Sequence, residues 1–366
     1  MSAIYEARRR LLPQLRRLPE PVEARARRLM HAGRPNEGRL YTERPNEARP
    51  YSEPVAPPAA PPCAVRPDGV VVLLYHRIAE DHNDPFLLSV SPQRFEEHMA
   101  IVKRYAEPVT LAGVLQRKRH PRVAVTFDDG YADNVQPGGA ILQAASVPAT
   151  VFVTSGSIGS DKPLWPLRLE ELFRLGEARA DRLDLEIGGT AFSIHTPRGT
   201  NSAEALMAAH DLLTPRHPMV IAEAMSQLED HFGGDVATVG RRMLSGQEVQ
   251  AMANSDIFTI GAHTRSHAWL SALGRVELED EIAGSRRDLE GLTGRPVTEF
   301  AYPFGTRISF DRAAANAVRR AGFSLACTTF DDPHAPGTSR YLLPRRPVYD
   351  WDGPRFEAML SSWLAA

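Results

Sequence analysis

The chain has 366 residues, 43% hydrophobic and 24% charged, which suits one large soluble domain or two ordinary ones. Its 43 basic and 45 acidic side chains leave a net charge of −2, so bulk charge gives no case for nucleic-acid binding. Two cysteines, Cys63 and Cys327, exclude a disulfide scaffold and a multi-cysteine zinc module, and no eighteen-residue apolar run predicts a membrane span.

Residues 1–66 read as a mostly disordered leader. Twelve of the 30 prolines precede residue 68. A decapeptide occurs twice over 34–53, as RPNEGRLYTE and RPNEARPYSE, and PVAPPAAPP follows at 54–62. Polar repeats that carry proline bury no face, so an extended linker is expected. Residues 1–32 hold eight arginines against three glutamates. This basic arm reads either as a peripheral contact with anionic lipid or as a solvated tail. It lacks the apolar core of a secretory signal, and the expected location is the cytoplasm, with contact at the inner membrane face as a further option.

The body, 67–366, alternates strands and helices. VVVLLYH (70–76) reads as a buried strand, and SPQRFEEHMAIVKRY (91–105) as a helix opened by Ser91 and Pro92. VAVTF (123–127), ATVFV (149–153) and IFTIGAH (257–263) are further buried strands. A helix is expected over 276–294, closed by Gly294. Then come a strand at FAYPF (300–304), a helix at 310–322 and a strand at 323–329. Residues 160–245 break the rhythm and read as a helical insertion with a hairpin around LEIGGTAFSIHT. Its modest apolar content predicts that it leans on the main body. The whole is an α/β pattern with a parallel sheet or barrel.

Polar residues collect at the carboxyl ends of these strands, where parallel α/β folds build their sites. One strand runs into His76, another into Asp128-Asp129-Gly130, a third into His263-Thr264-Arg265-Ser266-His267. A lone Asp there is often a cap or turn residue. His263 and His267, four apart, face one way on a helical turn, as a metal pair requires. Two imidazoles and one carboxylate make a three-ligand site with positions left open. If Asp129 binds metal, Asp128 is free to act as a general base on water.

TFDDGYADN (126–134), GAHTRSHAWL (261–270) and FAYPFG (300–305) resemble three motifs of the polysaccharide deacetylase family, also called the NodB-homology or carbohydrate esterase 4 family. LLYHRI (73–78), SPQRFEEHM (91–99) and LLPRRPV (342–348) resemble the opening and closing segments of the branch that includes the poly-N-acetylglucosamine deacetylases. The resemblance spans roughly residues 70–350. It implies a distorted (β/α)7-type barrel and hydrolysis of an N-acetyl group on a sugar or glycan precursor. By position it implies Asp128 as base, Asp129, His263 and His267 as ligands of one divalent metal ion, zinc by the commonest assumption, and the Tyr302 N–H as oxyanion donor.

The sequence departs from the family in two places. Ala301 stands where many relatives carry an arginine that orients the base. Arg345 is the candidate for that task, with a surface arginine as the plain alternative. The late Leu-x-x-His motif is missing, and the branch resemblance moves the general acid to His76, with a core histidine as the plain alternative. Trp269 and Pro303 are the candidate substrate contacts. The competing functions are a deformylase or other non-peptide amidohydrolase on the same scaffold, and a non-catalytic carbohydrate-binding protein. No nucleic-acid partner is expected.

Overall fold

The computed structural model describes residues 65–366, apart from 82–83, 117, 176–180, 188, 197–202, 234–240 and 336. The expected leader, with its basic arm and repeats, lies outside the described residues except for Val65 and Arg66. Arg66 already docks on the body, its amide donating to Leu364 O at 3.1 Å. Among the described residues no helix is long and apolar enough to cross a membrane.

The described residues form twelve strands in order: β1 (Val70–Tyr75), β2 (Arg77–Ile78), β3 (Ser89–Val90), β4 (Glu107–Pro108), β5 (Arg122–Phe127), β6 (Ala149–Val153), β7 (Arg182–Ile187), β8 (Thr190–His195), β9 (Phe258–Ala262), β10 (Glu299–Ala301), β11 (Leu325–Cys327) and β12 (Arg346–Pro347). Seven of them form a parallel sheet in the order β11-β10-β9-β6-β5-β1-β12, with β4 added beside β5. Leu343 bridges Cys327 of β11, while Arg346 and Pro347 pair with Leu73 and Leu74 of β1. One short segment thus ties the two edges of the curled sheet together. This is the distorted (β/α)7 architecture expected from the alternation of elements.

Two apolar layers explain why the strands read as unbroken hydrophobic runs. Val71, Leu73 and Tyr75 of β1 face outward into the core shared with the helices. Val70 and Val72 face inward, with Ala124, Phe152, Ala301 and Cys327. The interior is tight: a Cβ on Gly261 of β9 would lie 2.4 Å from Phe152 Cδ1.

Polar groups break this interior at two levels, Arg345 among the strand carboxyl ends and Glu299 at the first residue of β10. Glu299 is 4% exposed and accepts from Thr150 Oγ1 at 2.9 Å. Burial pushes its carboxyl up to about 7 against an ordinary 4.5, more than the Thr150 hydroxyl and the Ala112 amide pull it down. The folded state therefore binds this proton more tightly than the unfolded chain. Its contribution to stability is whole below the unfolded value and is lost as pH rises through about 7. Glu299→Gln is expected to flatten that slope and to stabilise the protein at about pH 8 by on the order of 1–3 kcal/mol. Urea melts of both proteins at several pH values check this; parallel curves would sink it.

The expected strands at 300–304 and 323–329 are shorter than read, β10 ending at Ala301 and β11 at Cys327. The chain turns there to build the site. The helix expected over 276–294 is two α segments, Arg275–Glu279 and Ser285–Thr293, joined by a π turn at Asp280–Gly284. It ends, as expected, on a left-handed Gly294, φ 66°.

The insertion differs most from expectation. It contains a helix Trp165–Leu175, the antiparallel hairpin β7–β8, and helices Ala203–Leu213 and Pro218–His231. It does not merely lean on the barrel. Leu169, Leu172, Leu185, Ala209, Leu213 and Leu228 converge into a core of its own. The body contributes Phe86, Leu88 and Tyr131 to that core. Sparse apolar residues suffice because helical and alternating spacing aim nearly all of them one way. The segment leaves and rejoins the barrel at one place, where Gly159 N donates to Leu244 O at 2.8 Å and Met243 N to Ser160 O at 3.1 Å.

Candidate active site

The strand ends deliver the polar residues to one rim. β1 ends at His76, β5 at Asp128 and Asp129, β9 at the loop 263–267, and β10 at the turn 302–305. The segment closing the barrel supplies Arg345 from the inside.

Asp129 sits at φ 76° and Gly130 at φ 86°. A positive φ on a non-glycine residue is costly and persists only where neighbours enforce it. Here Asp128 N donates to Tyr75 O at 3.0 Å and Thr154 N to Asp129 O at 3.3 Å. The turn presents both adjacent carboxylates to the same centre instead of to opposite faces.

The His-x-x-x-His segment is not a helical turn, contrary to the sequence reading. Thr264 and His267 take left-handed conformations, φ 63° and 56°, and these bring the second ring round to the first. The ring centroids are 5.0 Å apart. The helix with the π turn clamps this loop. Glu281 accepts from the amides of Arg265 and Ser266 at 2.8 and 3.0 Å, and Arg265 pairs with Asp280 and Asp288, both at 2.8 Å.

Asp129, His263 and His267 place one ligand atom each within 4.8 Å of one another, all buried. His263 Nε2 and His267 Nε2 lie 3.5 and 3.3 Å from Asp129 Oδ1. Asp129 Oδ1 is buried with no hydrogen-bond partner. His263 Nδ1 is 2.9 Å from Ala301 O, which fixes the proton on Nδ1 and turns the Nε2 lone pair to the centre. Burial drives His267 down to about 4, so its ring is neutral, as a ligand must be. Burial works against ionising Asp129 too, but His267 and His263 outweigh it and hold the carboxyl low. His263 is buried as well, yet Asp128 and Asp129 pull its pKa up. Two buried carboxylates thus demand positive charge at this point, and the three ligand atoms fit a divalent cation.

Arg345 is fully buried and grips Asp128 with both ends of its fork, Nη1–Oδ1 and Nη2–Oδ2 each at 2.6 Å. Its Nε donates to Thr328 O at 3.2 Å, and Nη1 also reaches Thr126 Oγ1 at 3.2 Å. Burial opposes ionisation of Asp128, but Arg345 and then His263 overcome it and hold the carboxyl below its ordinary value. Ala301, the position where many relatives carry arginine, is buried in β10 and faces the interior. Arg345 reaches the same carboxylate from the closing segment.

His76 is half-buried and lines a narrow cleft of about 30 Å³ with Asp128, His263 and His267. Asn134 Nδ2 donates to His76 O at 2.8 Å, and Arg77 pairs with Asp133 and Asp81, both at 3.0 Å. Asp133 and Asn134 therefore brace the His76 corner. Leu74, Leu87, Phe304, Val348 and Tyr349 supply apolar cleft walls, and Thr329 a polar one.

Three sequence-based assignments need correction. The amide of Tyr302 is not free for an oxyanion: it donates to Cys327 O at 3.1 Å as the last rung between β10 and β11. Phe304, two residues on, lines the cleft at φ 60°, and the ladder does not use its amide. Sequence reasoning missed it; the signal was the adjacent Gly305, also at φ 60°, which marks the turn. Trp269 does not line the cleft. It is 7% exposed and packs behind Phe304, ring centroids 5.1 Å apart. Pro303 is buried and likewise does not line it. Trp269 thus backs the wall that Phe304 presents.

The family model for polysaccharide deacetylase matches residues 116–212 and 220–326, more than half of the chain, and includes both Asp128-Asp129 and the two histidines. The chain belongs to the polysaccharide deacetylase family. This is a family of hydrolases acting on non-peptide carbon–nitrogen bonds. A curated relative, YxkH of Bacillus subtilis (strain 168), carries a polysaccharide deacetylase name and is 29% identical over 118 residues. That match covers 30% of this chain and 41% of YxkH, so the chain spans less than half of that relative. Among solved structures, IcaB from Ammonifex degensii is similar at TM-score 0.53 and 18% identity, covering 82% of this chain and 99% of IcaB. BC0361, a polysaccharide deacetylase from Bacillus cereus, is similar at TM-score 0.51 and 20% identity, covering 81% of this chain and 69% of that one. At these identities the two structures show that this chain shares their fold.

Proposed function

We propose that this polysaccharide deacetylase hydrolyses the N-acetyl group of an acetylated amino sugar within a glycan, or of a lipid- or nucleotide-linked glycan precursor, releasing acetate and a free amine. The observation that carries the reading is the Arg345-clamped Asp128 directly beside the three-ligand group of Asp129, His263 and His267. Zinc is the proposed ion, since two imidazoles and one carboxylate with open positions are its catalytic set. Such an ion polarises an acyl oxygen and acidifies water.

The chain's own groups do the rest. Asp128 takes the proton as a water oxygen bonds to the acyl carbon. Arg345 keeps Asp128 ionised and points its oxygens into the cleft. The Phe304 N–H donates to the acyl oxygen as negative charge develops there. His76 gives a proton to the nitrogen as the carbon–nitrogen bond breaks. The apolar cleft walls exclude bulk water and suit an acetyl methyl.

Acetate release from N-acetylglucosamine oligomers and from lipid- or nucleotide-linked acetyl sugars tests the reading. Stripping divalent ions is expected to abolish release and zinc to restore it. Tight zinc binding without acetate from any of these substrates would make the acetyl-sugar assignment wrong. His76→Ala is expected to slow the amide reaction by about 10²–10⁴-fold. An aryl acetate, whose leaving group needs no proton, should lose far less. Equal losses on both substrates would remove His76 as the acid.

A further inference from the structure

We propose that a basic cavity at the opposite pole of the barrel binds a phosphate-bearing small molecule, with Arg122 as its anchor. The cavity has about 450 Å³ and is lined by Arg66, Lys118, Arg122, His334 and Trp363, with Asp68 and Ala366 on the same wall as Arg66. That size is within the range of small-molecule sites.

Arg122 is the first residue of β5 and is 4% exposed. Its side-chain hydrogen bonds all leave from Nη1, to the carbonyls of Gly113 at 3.3 Å, Val114 at 3.2 Å and Gln116. Its Nε is buried without a partner, and among the described residues no carboxylate lies within ion-pair distance. A buried charge without a counter-ion is costly, and the fold keeps this one at a cavity wall. The other cations differ: Lys118 pairs with Glu107 at 2.9 Å, and Arg66 with Asp68 at 3.3 Å and with Ala366 O at 2.9 Å. His334 adds a second buried, unpartnered nitrogen, Nδ1. Guanidinium, ammonium and imidazole around one space are the chemistry that recognises a phosphate monoester. Trp363 offers a flat apolar wall for the organic part, a sugar ring by size and shape.

This pole is not the cleft. Parallel β1 and β5 run from the cavity, at Val70 and Arg122, to the cleft side, at Tyr75 and Phe127. Six strand residues separate the two sites by about 17 Å.

Calorimetric titration of the metal-free full chain with glucose 6-phosphate, inorganic phosphate and glucose tests the proposal. One equivalent of phosphate-bearing ligand should bind, and glucose should not. Tighter binding of the ester assigns the site to a sugar phosphate; equal binding assigns it to free phosphate. Lys118→Met and Arg122→Gln should each weaken binding by about tenfold or more, and Arg122→Lys should not restore it. Because Arg122 also ties down the carbonyls after β4, the surface change Lys118→Met serves as the variant least able to unfold the chain. Asp129→Asn, in the other site, should bind as the unaltered protein does. No saturable binding of either anion, or binding that Lys118→Met and Arg122→Gln leave unchanged, overturns the proposal. The readout is binding, so it stands apart from the deacetylation reading.

Discussion

Arg345→Met is expected to cost about 3–5 kcal/mol of stability and most of the about 10²–10⁴-fold that a general base contributes. Both effects come from one geometry. Arg345 and Asp128 meet through two 2.6 Å contacts, with Arg345 fully buried and Asp128 4% exposed. Removing the guanidinium strands a carboxylate in the barrel interior, where it either stays charged at high cost or takes a proton and ceases to be a base. Lysine would keep the charge and lose the fork, so Arg345→Lys should recover part of the stability and little of the rate. The pair Arg345→Met with Asp128→Asn removes both charges. It should be more stable than Arg345→Met alone yet remain inactive. Urea melts and acetate release on the four proteins decide the matter. An Arg345→Met protein with unaltered rate would show that the arginine only fills space.

Asp128→Asn alone is the second large effect. Asparagine keeps the shape but accepts no proton, so acetate release should fall by about 10³-fold or more while bound zinc stays near one equivalent. Asp129→Asn should reverse the pattern, losing metal first and activity as a consequence. The stranded Arg345 will lower the melting temperature of the Asp128→Asn protein, so rates belong well below it. Metal loss from Asp128→Asn, or metal retention with full activity in Asp129→Asn, would exchange the roles of the two carboxylates.

Much of this site was legible because strand ends are where parallel folds place chemistry. The runs before His76, Asp128 and His263 identify β1, β5 and β9, and Arg345, in the closing segment LLPRRPV, was the candidate for the task left open at Ala301. What stayed hidden was backbone conformation. Asp129, Thr264, His267 and Phe304 all take positive φ without being glycine. Only Gly130 and Gly305 beside two of them hint at it, and nothing marks Thr264 or His267, so the histidine pair was drawn on a helical turn that does not exist. The amide of Tyr302, read as the oxyanion donor, is taken up by Cys327 O, and the donor proposed in its place lies two residues further on. A strand read through 304 leaves Tyr302 as an ordinary rung, and only the turn frees Phe304. Trp269 illustrates a different limit, since a large aromatic beside a motif looks the same whether it touches ligand or backs the residue that does.

The inserted lobe also has a consequence for how the protein can be taken apart. Its two ends are neighbours, hydrogen-bonded through Gly159, Ser160, Met243 and Leu244. A linker of two or three residues could replace 161–242 without stretching the barrel. Yet the excised piece would take with it the apolar bed beneath Phe86 and Leu88. Leu88, with its neighbour Leu87, forms part of the cleft wall. A shortened chain of this kind should keep the carboxylates, the imidazoles and the closed sheet, and lose the surface against which a substrate is held.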